Sequence, residues 1–479
     1  MSRLTPQLSP RFRRYRLRRQ RGVALVMVLG SLAILAVLLV EFQDETSADL
    51  GHALSERDGI QAEYAARSAV NLSRLLIAAE PTIRQAVGPL MAFMGGVNQL
   101  PVWEFTDAIM GIFNDAAGAE RFKTLAPLDP SHGKALGMTG AGFEVEVIDE
   151  DSKVNFNMAA RGDAFSQQRL ALLLLGLVGG AQYSPLFDER DHDGNFSSRL
   201  DLCSAVIDWT DPDTDGFPCD TSGQFVAVGA EDAYYQTLPD GYERKNSAFD
   251  SLEELHRVRG VSDDFWATFV EPRPFDPSSR IATVWGQGKV NVNTANAQTL
   301  LAVICGAAVE GTPLCVDSEE QAKFLSMIGM VKMMTQGAPL FSSPANFAKV
   351  VKGQGGGLIA PLIKMAGLQP VVFRLEDELL KAVATESKVF SIYATGVATS
   401  GKRRTVRRIH AVVDFRGAPM PPDPFKSVDP STLSSDEATA AIEGAKPKAE
   451  TPDGFDQASG LENAFRPDPG GRIIYYRIE

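Results

Sequence analysis

The sequence predicts an α+β protein that has one long N-terminal helix, a small antiparallel sheet and a large, mainly helical insertion between the strands. An apolar run from Val23 to Val40 continues into helically spaced apolar residues until Pro81. Apolar and acidic residues alternate in Phe143–Asp149, and strand-like runs return near the C-terminus. Between these strands, residues 160–380 contain several predicted helix starts.

The first forty residues predict a membrane anchor. Eight arginines and no acidic residue precede Gly22, and the eighteen residues from Val23 to Val40 carry no charged side chain. At about 1.5 Å of rise per residue, this run gives roughly 27 Å of helix, which is enough to enter a bilayer core. Because a basic flank stays on the cytoplasmic side, the rest of the chain is expected in the other compartment.

The helical pattern does not end with the apolar run. Residues such as Leu50, Leu54 and Leu72 recur at spacings near three and four. One helix is therefore predicted from Val23 to about Glu80, far longer than a bilayer needs. Its second half is expected to pack on a soluble domain.

Composition and motifs argue against two classes of function. The net charge is −13 although eight arginines lie in the first 21 residues, so the remainder is too acidic for a protein that holds phosphate backbones. The sequence has no Gly-x-Ser-x-Gly motif, no His-Glu-x-x-His motif and no phosphate loop with Lys and Ser or Thr, and its five histidines are scattered. We therefore predict no catalytic residues and a protein that is not an enzyme.

All four cysteines follow the apolar run. Their even number and short separations predict two local disulfides in an oxidising compartment, and four buried thiols are the alternative. The simplest pairing scheme joins Cys203 to Cys219 and Cys305 to Cys315.

An acid-rich stretch predicts a calcium site. Asp211, Asp213 and Asp215 alternate before Gly216, as oxygen ligands do at the opening of a calcium loop. The twelfth position of this loop is Ser222 and not a bidentate glutamate, so the loop is not an EF-hand. The predicted Ca²⁺ ligands are Asp188, Asp191, Asp193, Asn195, Asp211, Asp213 and Asp215.

Two similar pentads occur, one just before the inserted region and one within it. Lys153–Asn157 reads Lys-Val-Asn-Phe-Asn, and Lys289–Asn293 reads Lys-Val-Asn-Val-Asn. The second pentad opens a predicted helix, for which Thr294 or Asn293 is the expected N-cap.

The C-terminal part predicts the remaining strands. A hairpin is expected from Val389–Val397 and Arg404–Val413, with the turn at Ser400-Gly401. Residues 416–470 are rich in Pro, Asp, Ser, Ala and Glu and predict a linker, and Arg472–Ile478 predicts a last strand.

The leader resembles that of a known class of filament subunits. The segment Gln20-Arg21-Gly22-Val23-Ala24-Leu25 is similar to the class III leader of type IV pilins and pseudopilins. The resemblance implies that a prepilin peptidase cuts after Gly22, that the new N-terminus at Val23 is methylated, and that the apolar helix survives in the mature protein.

Further features resemble the K-type minor pseudopilin of type II secretion systems. The fifth mature position is Met27, where most pilins and pseudopilins carry a glutamate. Arg57–Ala69 follows the R-x-x-x-x-A-x-Y-x-A-R-x-A pattern of that family, and the two pentads occur in the family's order. The resemblance implies a pilin-like fold, inserted SAM-like helical modules that make protein contacts, and calcium bound in the helical region.

By the same resemblance the function is structural. The protein would cap the tip of a periplasmic pseudopilus, help begin its assembly with the I- and J-type minor pseudopilins, and promote export of folded proteins across the outer membrane. It would be a single-pass protein of the bacterial inner membrane, with its C-terminal domain in the periplasm and no nucleic-acid partner.

Two alternatives stay open at this point. A minor pilin of a type IV pilus would share the leader, although the helical insertion and Met27 favour secretion. A membrane-anchored DNA-uptake receptor is the other, because a similar Lys-Val-Asn motif opens its helix-hairpin-helix modules. Those modules need a glycine-rich hairpin, whereas here Gly306 is followed by Ala-Ala-Val-Glu.

The chain is accordingly divided into seven predicted segments. They are the leader 1–22, the long helix 23–80 with its transmembrane part 23–40, the first pilin-like part 81–159, the inserted helical domain 160–380, the β-hairpin 381–415, the linker 416–470 and the last strand 471–479.

Overall fold

The structure is a computed structural model of the chain. It describes residues 22–91, 98–106, 140–190, 196–219, 233–238, 240–335, 337–356, 359–419 and 468–479. The chain divides into two compact units, Met1–Ile60 and Gln61–Glu479.

The described residues form helices and strands in an α+β order. The helices are α1 Val23–Ala78, α2 Glu80–Met91, α3 Ala164–Val178, α4 Pro185–Asp188, α5 Arg199–Thr210, α6 Ala233–Gln236, α7 Asp263–Phe265, α8 Ala297–Ala307, α9 Pro313–Val316, α10 Ser318–Thr335, α11 Pro344–Val351, α12 Ile359–Met365 and α13 Glu376–Ala382. The strands are β1 Ala141–Asp149, β2 Val154–Asn155, β3 Ala282–Thr283, β4 Val290–Asn291, β5 Val383–Ala384, β6 Val389–Ser400, β7 Arg403–Asp414 and β8 Arg472–Ile478.

In the first unit, α1 carries apolar side chains on all sides. Leu25, Val26 and Met27 are 63 to 68% exposed, and the other large apolar residues up to Val40 are exposed as well. A helix that is apolar all round is stable only in an apolar environment, such as a membrane. The helix ends at Ala78, close to the predicted end.

In the second unit, the rest of α1 packs on a sheet through small residues. Ala62, Ala65 and Ala66 are fully buried. A Cβ atom at Gly396 of β6 would collide with the Ala62 carbonyl oxygen and would lie 2.7 Å from the Ala66 amide nitrogen. The missing side chain therefore lets the helix backbone lie directly on β6.

The sheet is antiparallel and has the order β1-β6-β7-β8. Phe143, Val145 and Val147 of β1 belong to the core beneath α1, whereas the alternating Glu144 and Glu146 are exposed. Between β1 and β6 the chain forms the helical insertion. The predicted α+β architecture, with a long helix, a small antiparallel sheet and an inserted helical domain, is therefore confirmed.

The insertion consists of two modules that repeat one plan. The first module, residues 153–284, starts with the first pentad and closes with β3, which pairs in parallel with β2. The second module, residues 289–384, starts with the second pentad and closes with β5, which pairs in parallel with β4.

The first long helix of each module contacts that of the other. A Cβ atom at Gly176 of α3 would collide with the Ala302 carbonyl oxygen, and one at Gly306 of α8 would collide with the Leu172 carbonyl oxygen. Because both glycines lack side chains, α3 and α8 approach each other through their backbones. One hydrophobic core then runs through both modules.

Candidate functional site at the junction of sheet and insertion

The first pentad pins a distant loop. The Asn155 Oδ1 accepts a hydrogen bond from the Asn157 amide at 2.9 Å. The Asn157 side chain donates to the Phe249 and Val284 carbonyls at 2.9 and 2.8 Å and accepts from the Phe249 amide at 2.7 Å. The pentad therefore satisfies backbone groups that no helix or sheet would pair.

The second pentad repeats these contacts. The Asn291 Oδ1 accepts from the Asn293 amide at 3.0 Å. The Asn293 side chain donates to the Phe341 carbonyl at 3.0 Å and accepts from the amides of Leu340 and Phe341 at 2.9 and 2.8 Å. The asparagines of both pentads therefore stabilise loops within the fold by hydrogen bonds to the loop backbone.

The N-cap of α8 differs from the prediction. Asn296 caps the helix, because its Oδ1 accepts from the Thr299 amide at 2.7 Å. The prediction of Thr294 or Asn293 was wrong, since Asn293 holds the loop at Phe341 and the Thr294 hydroxyl donates to Asp149. Both side chains bind residues that are distant in the chain and are therefore not available to cap α8.

A buried carboxylate, Asp149, joins the end of β1 to the second module. It accepts hydrogen bonds from the Thr294 hydroxyl and, at 2.5 Å, from the Ser387 hydroxyl. Ser387 also accepts from the Asn291 amide group at 2.7 Å. Burial, followed by the neighbouring Asp151, raises the pKa of Asp149.

Asp151 holds the chain where it returns to the sheet. Its carboxylate accepts from the amides of Gln287 and Lys388, both at 2.7 Å, and of Val389 at 3.2 Å. Burial raises the pKa of Asp151 despite these donors. The chain leaves the sheet for the insertion after β1 and returns to it before β6. Asp149 and Asp151 together connect these two segments.

Between these aspartates lies a buried ion pair. The Lys153 Nζ lies 3.1 and 3.2 Å from the two carboxylate oxygens of Glu150, and both side chains are only 3 to 4% exposed. Burial alone would raise the pKa of Glu150, but Lys153 and the hydroxyls of Ser391 and Thr283 outweigh it and lower this pKa. Glu150 therefore stays charged within the junction.

The sequence reasoning missed this junction. The only local signal was the run Asp149-Glu150-Asp151 directly after an alternating strand and before the first pentad. Three consecutive acids usually indicate a solvated turn, and all three are buried here. Apart from Lys153, which pairs with Glu150, the main side-chain and backbone partners of these acids lie more than 130 residues away in the chain, so local patterns could not reveal the junction.

The acid-rich stretch is only partly described. Asp191, Asp193 and Asn195 lie outside the described residues. The other predicted ligands differ in exposure. Asp188 has a 63% exposed side chain 3.7 Å from Arg199, Asp213 and Asp215 are exposed, and Asp211 is fully buried. Within the described ranges, no three His, Cys, Asp or Glu side chains are grouped so that they could hold a metal ion.

Asp211 nevertheless fits a cation. One carboxylate oxygen accepts from the Gln167 amide group at 2.8 Å, and the other is buried without a hydrogen-bond partner. Burial, followed by the neighbouring Asp213, raises the pKa of Asp211 to about 7. Asp208, one turn earlier, is also buried, accepts from the Phe217 amide at 2.8 Å, and has its pKa raised by burial to about 7. Paired buried carboxylates with a free oxygen suit a hard cation.

The structure joins all four cysteines in two disulfides. Cys203 on α5 is bonded to Cys219, which closes the acid-rich loop onto that helix. Cys305 on α8 is bonded to Cys315. Each module thus has one short-range disulfide, in the scheme that was simplest from the sequence.

The predicted processing site lies at the start of α1. Gly22 precedes the helix, Val23 is its first residue, and residues 1–21 lie outside the described part. Among the described helices, α1 alone is long and apolar enough to cross a membrane, and its most apolar 18-residue window has a mean hydropathy of 3.0.

Comparison with known proteins gives three findings. Residues 155–269 match the family model of type II secretion system protein K. Over 95 residues the chain is 35% identical to the type II secretion system protein K of Aeromonas hydrophila. The aligned segment covers 20% of this chain and 24% of that relative. The crystal structure of the GspK-GspI-GspJ complex from the type 2 secretion system of enterotoxigenic Escherichia coli has 13% identity and a TM-score of 0.32, covering 58% of this chain and 76% of that chain.

The matched segment starts within the first pentad and covers most of the first module. It contains Asn157 and its partner Phe249, and also the disulfide-closed acid-rich loop. Over residues 155–269 the chain is therefore similar to protein K of the type II secretion system, in agreement with the predicted family resemblance.

Proposed function

We propose that the chain is a minor pseudopilin of a type II secretion system that caps the pseudopilus tip and helps to begin its assembly. The observation that carries the proposal is the presence, in one chain, of an exposed apolar helix from Val23 and a protein K domain at residues 155–269. The helix would anchor the protein in the inner membrane and later enter the filament. The remainder would act in the periplasm, where the two disulfides are stable.

Processing after Gly22 is part of this proposal. Cleavage would free Val23, the first residue of α1, without removing any part of the helix. Prepilin peptidase would make the cut and methylate the new N-terminus.

The tip position is supported by Met27. A glutamate at the fifth mature position would need a partner in the apolar helix bundle, because an unpaired carboxylate there is costly. Met27 needs no such partner, which suits a subunit with no neighbour above it. The I- and J-type minor pseudopilins are the proposed partners, and export of folded proteins across the outer membrane is the proposed outcome.

Calcium at the acid-rich loop is the proposed cofactor. Asp211, with its free buried oxygen, and the exposed Asp213 and Asp215 would supply oxygen ligands, together with Asp188, Asp191, Asp193 or Asn195. A bound Ca²⁺ would neutralise carboxylates that burial disfavours in their charged form. The Cys203–Cys219 disulfide holds one end of this loop on α5.

The DNA-receptor alternative is disfavoured by the pentads. Asn291 and Asn293 are 1% and 8% exposed, and their side chains are used within the fold. A phosphate-binding hairpin would have to present backbone amides at the surface. The proposed function is therefore structural, with no nucleic-acid partner and no catalytic step.

The processing step is tested by the intact mass of the protein purified from membranes of its native host. We expect the wild-type mass to lack residues 1–22 and to include one added methyl group. Gly22→Ala should leave the full-length chain, whereas Gly30→Ala, at a helix glycine with open space around it, should be processed normally. An unprocessed wild-type mass would contradict the proposal.

A further inference from the structure

A cavity of about 600 Å³ lies in the second unit, between the sheet and the helical insertion. It opens on the sheet face opposite α1, because Tyr393 lines it while the neighbouring Ile392 is in the core beneath the helix. Residues 250–253 and 277–285 form the facing wall. Cavities of roughly 300 to 1,000 Å³ are typical of ligand sites.

Aromatic rings form a continuous wall of this cavity. Tyr393 and His410, which are direct partners across β6 and β7, stack with ring centroids 4.1 Å apart. The His410 ring lies 5.1 Å from Tyr475 of β8, and Tyr475 lies 5.6 Å from Trp285. Such a wall offers flat apolar surface to an aromatic or aliphatic side chain.

Most acids around the cavity already have partners. The Glu150 carboxylate is paired with Lys153, Asp250 lies 2.7 Å from the Lys245 ammonium group, and Glu479 lies 3.2 Å from the Arg477 guanidinium group. Glu253 is exposed on the rim and has no ion pair with the described residues. Its charge faces solvent.

Hydrogen-bond donors, by contrast, remain available on both walls of the cavity. Arg408 is exposed and has no ion pair with the residues that the structure describes. Arg280 reaches Glu271 only through one terminal nitrogen, at 3.3 Å, and its buried Nε has no hydrogen-bond partner. The hydroxyls of Tyr393 and Tyr475 also make no hydrogen bond within the described part of the chain, which leaves a donor-rich wall.

We propose that this cavity binds an acidic peptide segment of a partner protein, with carboxylates against Arg280 and Arg408 and an apolar side chain against the aromatic wall. The available donors of Arg280 and Arg408 favour a carboxylate ligand, because guanidinium groups form strong, charge-assisted hydrogen bonds with carboxylates. The rim reaches the surface, where the Arg477 side chain is 63% exposed, so a chain segment can enter and leave. This site is independent of the processing and tip position proposed above.

The positive charge of the site does not come from His410. Burial lowers the pKa of His410 to about 4, so the ring is neutral near pH 7 and its Nε2 lies 3.3 Å from the Ser391 hydroxyl. Binding of the acidic segment should therefore be constant from pH 6 to pH 8.

The proposal is tested by isothermal titration of the full-length chain in detergent with two blocked peptides, Ac-Glu-Phe-Glu-NH2 and Ac-Gln-Phe-Gln-NH2. We expect the acidic peptide to bind at least about tenfold more tightly, as charge-assisted hydrogen bonds of this kind require. Arg408→Gln should weaken the acidic peptide about fivefold or more and leave the neutral peptide unchanged. Arg408 is exposed, so this substitution should not disturb folding.

Two further variants separate site-specific from general charge effects. Arg404→Gln removes the same charge from the same strand at an exposed position outside the cavity, and should change binding by less than about twofold. Glu253→Gln removes the opposing rim charge and should tighten the acidic peptide. Equal binding of both peptides, no binding of either, equal losses in Arg404→Gln and Arg408→Gln, or weaker binding in Glu253→Gln would each overturn the proposal.

Discussion

The two pentads, Lys153–Asn157 and Lys289–Asn293, have nearly the same sequence and the same local hydrogen bonds, but different surroundings. In each, the first asparagine accepts from the amide of the second, and the second pins a loop. The lysines differ most. Lys153 is buried against Glu150, whereas Lys289 is exposed.

The first asparagines also differ. The Asn155 amide group donates to the Gly286 carbonyl at 3.2 Å, whereas the Asn291 amide group donates to the Ser387 hydroxyl at 2.7 Å. Ser387 in turn donates to Asp149 at the end of β1. The same local turn thus occurs in both pentads, and its distant hydrogen-bond partners determine how each pentad contributes to the junction.

The lysines should show the largest difference in stability. Lys153→Met would leave Glu150 buried without its ion-pair partner, which costs about 3 to 5 kcal/mol. Lys289→Met, at the same pentad position, should cost less than about 0.5 kcal/mol because this lysine is exposed. Denaturant unfolding of the full-length variants measures both values, and equal losses would refute the difference between the pentads.

Calcium should stabilise the first module and not the second. At a Ca²⁺ concentration of 100 times the dissociation constant, binding to the folded state alone adds about 2.7 kcal/mol. Hydrogen exchange should therefore slow in α5 when Ca²⁺ is added, with no change in α11 of the second module. Asp211→Asn should abolish the effect. Slowing of exchange in both helices, or in neither, would argue against a site in the acid-rich loop.

The first asparagines should differ by less. Asn291→Ala removes the hydrogen bond that the Ser387 hydroxyl accepts and leaves the Asn293 amide without its partner in a site that is 1% exposed, which should cost about 2 to 3 kcal/mol. Asn155→Ala leaves the Asn157 amide without its partner and removes the longer bond to the Gly286 carbonyl, in a site that is 9% exposed, so it should cost about 1 to 2 kcal/mol. The ratio of the two losses in chemical unfolding is the test, and a larger loss for Asn155→Ala would reverse our ranking.

The pH dependence of Asp149 should be the smallest effect. Burial raises its folded-state pKa above the value of about 3.9 in the unfolded chain. The folded protein therefore binds this proton more tightly, and the stabilisation present at low pH is lost as the pH rises through the folded-state pKa. Asp149→Asn stays neutral and the folded-state pKa of Asp149 is about 7, so the stability of this variant relative to wild type should increase by about 1 kcal/mol between pH 6 and pH 7.

The exposed Glu144 of the same strand provides the control for this measurement. Glu144→Gln should differ from wild type by a constant amount over the same pH range. A constant difference for Asp149→Asn as well would mean that Asp149 is charged throughout.

Local patterns in the sequence predicted the elements that depend on local periodicity. The spacing of apolar residues predicted α1, and the alternation in Phe143–Asp149 predicted β1. The parallel pairs β2–β3 and β4–β5 have only two residues in each strand, and their partners lie about 90 to 130 residues apart. No local pattern can specify such a pairing.

In the candidate site too, the features that depend on nearby residues were predicted and those that depend on distant residues were not. Cysteine spacing suggested the disulfide scheme that the structure contains, because both bonds close short loops. The buried acids Asp149, Glu150 and Asp151 were not recognised, since charged residues are rarely buried unless distant partners satisfy them. The wrong N-cap of α8 has the same cause, because Asn293 and Thr294 are held by distant residues.

The central claim is that this chain works in protein secretion, and deletion of its gene in the native host tests that claim most directly. We expect proteins normally exported across the outer membrane to accumulate, folded, in the periplasm, and the wild-type gene to restore their export. DNA uptake and surface pili should be unchanged. Normal export together with loss of DNA uptake or of pili would contradict the account and favour one of the two alternative functions.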